Sequence, residues 1–284
     1  MLGTVVALVS RIVSNPLANV FQKKLVSTHS AILINFYCYL FLSLFCFPFA
    51  ININWGIYGT SYWLYVFAAG ILCTLGNVCL IKALQYGEMS ILGPINSYKC
   101  LIGLAFGWLF LGEIPSRFGL LGMLLIIVGS WYIFDTVDEG LSFKLFLRKD
   151  IILRFCALFL SGCEAAVLKK IILMSTPEQS FMLWCFTGLL FSAILMLFMK
   201  KKFEILNHID LGKCLIVSLC FGIMQLSTNF VFQKLNVGLS LALFQLSTII
   251  SVLFGYKFFN ENNLAKKIIG SVIMIGGSCL ILLL

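Results

Sequence analysis

Apolar residues fill the chain in long blocks that mostly short polar gaps separate. A helix needs about 20 mostly apolar residues to cross the hydrocarbon core of a bilayer. The gaps leave no room for a separate soluble domain. The pattern therefore predicts an all-α polytopic membrane protein with ten transmembrane helices, at about residues 3–22, 31–50, 62–84, 89–111, 117–134, 152–173, 179–199, 213–233, 239–259 and 266–283.

Composition supports a protein that sits in lipid. Hydrophobic residues make up 61% of the chain and charged residues only 11%, against about 25% charged residues in an ordinary soluble domain. The net charge of +9 would suggest a nucleic-acid partner in a soluble protein, but here Lys and Arg cluster at helix ends, so we expect none. The eleven cysteines form no CxxC pair, and we interpret them as small buried hydrophobes. The first block lacks the features of a cleaved signal peptide and is expected to remain a membrane helix.

The second half of the chain repeats the first. The segment FQKKL at 21–25 corresponds to VLKKI at 167–171, and later positions match at an offset of 148. Each copy contains five predicted helices, so the second copy must enter the membrane from the opposite side. The sequence thus predicts two inverted five-helix repeats at 1–139 and 140–284, an arrangement typical of alternating-access carriers. The matched pairs are Gly107 with Gly255, Phe110 with Phe258, Glu113 with Glu261, Gly122 with Gly270, Gly129 with Gly277, and Ser130 with Ser278.

One stretch carries a family resemblance. The segment FLGEIPSRFGLLGMLLIIVGSW at 110–131 resembles the EamA domain of the drug/metabolite transporter superfamily. The second copy, FFNENNLAKKIIG at 258–270, departs from it with Asn260 in place of the glycine before the glutamate. The resemblance covers nearly the whole chain as two EamA-like units and implies a transporter. It leaves the substrate open, because the superfamily moves amino acids, nucleotide sugars, cofactors and drugs.

The repeated residues are interpreted first as scaffold. Glu113 and Glu261 follow a predicted helix and are expected at opposite membrane surfaces, where they fix the turn; a gating ion pair with Arg117 or Lys266 is the alternative. Ser116 is a predicted N-cap. Small residues at close spacing let helix backbones approach in lipid, and the last helix of small multidrug resistance proteins uses a similar spacing for packing, which implies contact between helices five and ten. The predicted helix-packing residues are Gly103, Gly107, Gly122, Gly129, Gly255, Gly270 and Gly277.

Differences between the copies indicate a substrate site. Arg11, Lys99 and Glu164 lie near the middle of predicted helices, where a charge costs at least about 2.5 kcal/mol unless it faces a partner or a wet cavity. Lys99 corresponds to Ser247 and Glu164 to Ala18, so the repeat does not require these charges. Polar stripes on neighbouring helices complete the predicted substrate-binding set: Arg11, Asn15, Asn19, Asn77, Asn96, Lys99, Glu164, Gln225, Asn229 and Gln245.

Other interpretations of these residues stay open. Each amide can equally act as interhelical hydrogen-bond glue, and Arg11 and Glu164 can form a structural pair. Lys82, Arg154 and Lys257 lie nearer predicted helix ends, and we expect them to extend to the interface.

The predicted cavity charge of +1 favours a small metabolite with a carboxylate or phosphate, and an amino acid or other zwitterion also fits Glu164. A broad exporter of lipophilic or cationic drugs and a non-transport membrane scaffold are the alternatives. Catalytic and nucleotide-binding motifs are missing from the sequence, so we expect no enzyme, cofactor or metal. Coupled protons or a counter-substrate remain open, as does the choice between a monomer and a weak dimer.

Basic loops suggest the orientation. The positive-inside rule places the Lys-rich loops in the cytoplasm and both chain ends outside, whereas many ten-helix relatives are thought to keep both ends inside. We expect a multi-pass protein of a bacterial inner membrane. The basic loop residues are Lys23, Lys24, Lys144, Arg148, Lys149, Lys200, Lys201, Lys202, Lys213, Lys266 and Lys267, against Arg117, Lys169, Lys170 and Lys234 on the other side.

Overall fold

A computed structural model describes residues 2–99, 101, 116–136, 143–200 and 204–282 of the chain. Within these ranges the secondary structure is helical throughout, and nine helices are long and apolar enough to cross a membrane. The all-α polytopic class is confirmed. The helices are α1 (Leu2–Val26), α2 (Ala31–Ala50), α3 (Thr60–Tyr86), α4 (Met89–Leu92), α5 (Arg117–Phe134), α6 (Phe143–Phe146), α7 (Lys149–Met174), α8 (Pro177–Phe198), α9 (His208–Lys234), α10 (Val237–Phe244), α11 (Ser247–Phe259) and α12 (Leu264–Leu282).

Short polar side chains fix several helix starts. Ser30 Oγ accepts a hydrogen bond from the amide of Leu33, and Ser116 Oγ accepts one from Gly119 at 3.0 Å. These bonds satisfy amides that have no partner within the first turn of a helix. The capping role predicted for Ser116 is therefore confirmed.

The structure interrupts two of the predicted spans: the described part of 89–111, and 239–259, whose helices α10 and α11 together form one of the nine candidate membrane spans, Val237–Phe259. α4 ends at Leu92, and a 3₁₀ turn follows at Pro94–Ser97, because Pro94 has no N–H to donate and its ring clashes with the preceding turn. The second copy breaks between α10 and α11, where Gln245 and Leu246 make i→i−3 backbone hydrogen bonds. The rest of the span predicted at 89–111, residues 100 and 102–111, lies outside the described residues.

Among the described helices, the most extensive contacts join the first repeat to the second. α5 packs along α12, α3 along α7, α1 along α9 and α2 along α8. The α1–α9 and α7–α3 pairs are equivalent under the repeat, as expected for two units related by a pseudo-two-fold axis in the membrane plane. The interior of the protein therefore lies between the repeats.

The two ends of the bundle differ in charge. We call the end where α1 finishes and α12 begins the basic face, and the other end the opposite face. The described lysines at the basic face include Lys23, Lys24, Lys149, Lys213, Lys266 and Lys267. The helix directions therefore gather these basic residues at one end of the protein.

Candidate functional site

A cavity of about 140 Å³ lies between the two repeats. Its walls come from α1, α3, α7, α8, α9 and α10, and from the segment around the break at Pro94. Asn229 and Gln245, which the sequence also suggested for a substrate site, are not among the lining residues. The residues of that set that do line the cavity are Arg11, Asn15, Asn19, Asn77, Asn96, Lys99, Glu164 and Gln225.

Arg11 brings a buried positive charge to the cavity from α1. Its guanidinium carbon lies 4.2 Å from the ring centroid of Phe244, which orients the planar group. The Nε and Nη1 atoms are buried and have no hydrogen-bond partner among the described residues. Leaving such donors unsatisfied is costly in a low-dielectric interior. A group with unused donors on a cavity wall is suited to bind an anion.

Glu164 on α7 is an acidic residue of the cavity wall. The indole N–H of Trp184 on α8 donates to its Oε1 atom at 3.1 Å. Lys99 lines the same cavity from the segment that follows the 3₁₀ turn. The cavity therefore offers both signs of charge, with the carboxylate oriented by an aromatic donor.

Arg154 is a lining residue that the sequence analysis assigned wrongly. Instead of extending to the interface, its side chain is buried, and its Nε atom donates to the carbonyl of Leu92 at 2.7 Å. Its Nη2 atom donates to Asn96 Oδ1 at 3.1 Å. The spacing of polar residues could have indicated that Arg154 faces the cavity. Ser161 lies seven residues after Arg154, and Glu164 lies ten residues after Arg154, so all three lie along one side of a helix. With Arg154 the described lining residues include three basic residues and one acidic residue, a formal charge of +2 rather than +1.

Some of the amides hold helices together. Asn77 donates to Asn35 Oδ1, and Asn35 donates to Ser192 Oγ at 2.8 Å, so α3, α2 and α8 are linked by buried hydrogen bonds. Asn35 and Ser192 were missed by the sequence analysis because each lies alone in an apolar run. Asn229 on α9 has a similar structural role: its side chain is fully buried and donates to the carbonyl of Pro177 on α8 at 3.0 Å.

Gln225 and Gln245 connect such structural contacts to the cavity. Gln225 lines the cavity and donates to Asn229 Oδ1 at 3.1 Å. Gln245 is fully buried at the break between α10 and α11, and its Nε2 atom donates to the carbonyl of Asn96 at 3.2 Å. This contact ties the two broken segments of the repeats to each other.

Glycines bring α5 and α12 into backbone contact. A Cβ atom at Gly122 would lie 2.6 Å from the carbonyl oxygen of Gly277, and one at Gly129 would lie 2.6 Å from that of Gly270. Any side chain at these positions would force the helices apart. Gly103 and Gly107 lie outside the described residues, as does Glu113.

Glu261 does not pair with Lys266, the partner considered from sequence. Lys266 Nζ instead lies 2.9 Å from Asp135 Oδ2, and both side chains are about half exposed. The Glu261 carboxylate pairs with Lys23 at 3.0 Å. Its role therefore extends beyond its own turn, since it contacts the other repeat.

The two repeats and their central cavity can be compared with known proteins. The model of the EamA-like transporter family matches residues 4–135 and 148–283, nearly the whole chain, in two copies. The chain belongs to the EamA-like transporter family. Together with its apolar helices, this membership makes it an integral, multi-pass membrane protein.

Individual relatives add less than the family does. An uncharacterized transporter of Archaeoglobus fulgidus is 26% identical over 156 residues, which are 55% of this chain and 47% of that protein. The match thus spans about half the length of this curated relative. A crystal structure described only as that of a protein is similar over 99% of this chain and 98% of its own, with a TM-score of 0.65 and 12% identity. At that identity the likeness shows the fold alone.

Proposed function

We propose that this EamA-family protein is a secondary transporter that carries a small metabolite with a carboxylate or phosphate group through the central cavity. The observation that supports this proposal most strongly is the guanidinium of Arg11, with two buried donor atoms and no partner among the described residues. A guanidinium matches the paired oxygens of a carboxylate or phosphate. An anionic substrate would satisfy these donors.

The cavity's size and charge favour a small anion or zwitterion. Drug-sized ligands occupy pockets of about 300–1,000 Å³, whereas this cavity has about 140 Å³. Among the described lining residues, Arg11, Lys99 and Arg154 outnumber the acidic Glu164. In an amino acid the carboxylate would bind Arg11 or Lys99, and the ammonium group would approach Glu164. Movement would follow alternating access, in which two inverted repeats rock about a central site.

A broad exporter of lipophilic cations is the second candidate. Four aromatic residues line the cavity, and Trp184 holds the Glu164 carboxylate in place. Aromatic faces and a carboxylate are suited to a cation. The aromatic lining residues are Trp184, Phe221, Phe232 and Phe244.

A thermal-shift screen of purified protein separates these functions. The probes are monocarboxylates, α-amino acids, phosphate monoesters and tetraphenylphosphonium as a lipophilic cation. A ligand at about 100 times its dissociation constant adds about 2.7 kcal/mol of stability, which is measurable. We expect at least one anionic or zwitterionic probe to stabilise the wild type and to lose this effect in Arg11→Gln. The matched control is Arg117→Gln, which removes an exposed arginine at the start of α5 and should leave the stabilisation unchanged.

One further variant, Glu164→Gln, refines the outcome. If Glu164→Gln removes stabilisation by amino acids but not by simple carboxylates, the substrate is a zwitterion. If tetraphenylphosphonium alone stabilises the protein and Glu164→Gln abolishes the effect, the cation exporter replaces our proposal. If the stabilising probe then moves across proteoliposome membranes, a pure scaffold role is excluded.

A further inference from the structure

The carboxylate of Glu261 is held by three donors from the other repeat. Lys23 Nζ, at the end of α1, lies 3.0 Å from Oε1. The backbone amides of Met89 and Ser90 donate to Oε1 and Oε2, each at 2.8 Å. Only 5% of the Glu261 side chain is exposed. The connection between α11 and α12 is therefore fastened to α1 and α4.

A second ion pair lies beside the first and also crosses between the repeats. Lys267, on α12, pairs with Glu88 at the start of α4 and donates to Ser90 Oγ at 2.8 Å. The lysine side chain is 2% exposed, whereas that of Glu88 is 48% exposed. Ser90 thus contacts both pairs, through its amide to Glu261 and its hydroxyl to Lys267.

Gly255 and Gly87 are the backbone positions next to these side chains. A Cβ atom at Gly255 would lie 2.3 Å from Glu261 Oε2 and 3.0 Å from Ser90 Cβ. The glycine therefore provides the space in which the carboxylate reaches α4. Lys23 also donates to the carbonyl of Gly87 at 2.7 Å, which secures the residue just before this segment.

The Glu261 carboxylate is ionised at neutral pH. Burial acts to raise its pKa, but the Lys23 ammonium, the Ser90 hydroxyl and the amides of Ser90 and Met89 outweigh burial and lower the pKa below its ordinary value. The surroundings of Glu261 therefore favour its ionised carboxylate, the form that pairs with Lys23.

The same segment lies between the two ion pairs and the cavity wall. Arg154 lines the cavity and holds the Leu92 carbonyl at 2.7 Å, directly after the residues bound by Glu261 and Lys267. Residues 87–92 are thus bound on their outer side by the ion pairs and on their cavity side by Arg154. A path from the cavity to the basic face along this segment would require it to separate from α12 and the α11–α12 connection.

The opposite face retains only part of this arrangement. Lys169 is the repeat counterpart of Lys23, and Leu235 is the counterpart of Gly87. Lys169 donates to the carbonyl of Leu235 at 3.0 Å, and Lys23 likewise donates to the carbonyl of Gly87. The second pair has no counterpart, because Asn236 stands for Glu88 and Gly119 for Lys267 at the offset of 148. Among the residues that the structure describes, the two-pair arrangement therefore occurs at the basic face.

We propose that Lys23, Glu88, Glu261 and Lys267 form an ionic latch that holds the transporter closed at its basic face. Opening the cavity to that face requires both pairs to separate, and their separation shifts the protein from one access state to the other. The latch concerns the protein's own conformational equilibrium, so its test needs no substrate and can fail independently of the proposed function.

Two reporter cysteines in the cavity wall measure opening at each end. Ala157→Cys lies one turn after Arg154, in the half of α7 nearer the basic face, and Leu241→Cys lies on α10, which begins at the opposite face. Each is reacted with a charged maleimide in lipid nanodiscs, and labelling is read at the reporter peptide by mass spectrometry, with the parent chain as background. We expect Lys267→Met and Glu261→Gln to speed labelling at Ala157→Cys by about tenfold, as a minor open state becomes more populated. Labelling at Leu241→Cys should slow in the same variants.

The control variants separate a latch from a loss of stability. Lys266→Met breaks the exposed pair with Asp135 at the same face and should leave both labelling rates within about twofold, as expected of a surface pair. The double variant Glu88→Lys, Lys267→Glu restores opposite charges and should restore slow labelling at Ala157→Cys. The proposal is overturned if Lys267→Met leaves that rate unchanged, if both reporters label faster together, or if the charge exchange fails to restore protection.

Discussion

The two faces of this protein are built from equivalent segments but are held together differently. At the basic face Lys23 contacts both a main-chain carbonyl and the buried carboxylate of Glu261. At the opposite face the described contacts of its counterpart Lys169 are to the carbonyls of Phe232 and Leu235. Among the described residues, the lysine–carbonyl contact is thus common to both faces, while the doubled ion pair is found at the basic face.

This difference shows how an inverted repeat can have a preferred state. If the two copies were identical, the two access states would have equal free energy, because the pseudo-two-fold axis would exchange them. Substitutions at a few positions, such as Glu88 against Asn236 and Lys267 against Gly119, break that equality. A free-energy difference of about 1.4 kcal/mol already changes the ratio of two states tenfold. Residues far from the cavity can therefore set the side to which the cavity opens.

The largest effect is expected from removing the buried carboxylate of the latch. Glu261→Ala leaves Lys23 and the amides of Met89 and Ser90 without their acceptor, and breaking a buried pair in this way costs about 3 kcal/mol. Unfolding by denaturant in detergent micelles measures the loss. Glu204→Ala is the control, because that side chain is 63% exposed at the same face. Equal destabilisation by the two variants would contradict the difference in burial on which the comparison rests.

A smaller effect is expected from the two equivalent lysines. Lys169→Met removes hydrogen bonds to carbonyls and should cost about 1 kcal/mol. Lys23→Met also leaves Glu261 buried without its cation, so it should cost about 1–2 kcal/mol more. The same unfolding measurement gives both values. A cost for Lys169→Met as large as that for Lys23→Met would show that the two faces are equally strong.

Sequence reasoning predicted the architecture well because hydrophobic length and repetition are local signals. Long apolar blocks mark the membrane helices, and the offset of 148 marks two copies. The helix breaks were missed because a proline such as Pro94 is tolerated within many membrane helices, and the break at Gln245 has no proline at all. Both breaks depend on how the segments pack in three dimensions.

The candidate site was predictable only in part. Mid-helix charges such as Arg11 and Glu164 stand out because lipid makes them costly. Arg154 was judged by its distance from the predicted helix end, and whether it turns inward depends on the Leu92 carbonyl that it binds. The partner of Glu261 could not be inferred from the turn, because Lys23 is 238 positions away in the chain.

Hydrogen–deuterium exchange of two equivalent segments, in wild type and Lys267→Met, tests the central claim most directly. Segment 88–92 contains the Met89 and Ser90 amides bound by Glu261, and segment 236–240 is its repeat counterpart at the opposite face. In nanodiscs the account predicts slower exchange at 88–92 than at 236–240 in wild type. In Lys267→Met, exchange at 88–92 should accelerate while that at 236–240 slows. Unchanged exchange at 88–92 in the variant would contradict the claim that the basic face is held shut by this latch.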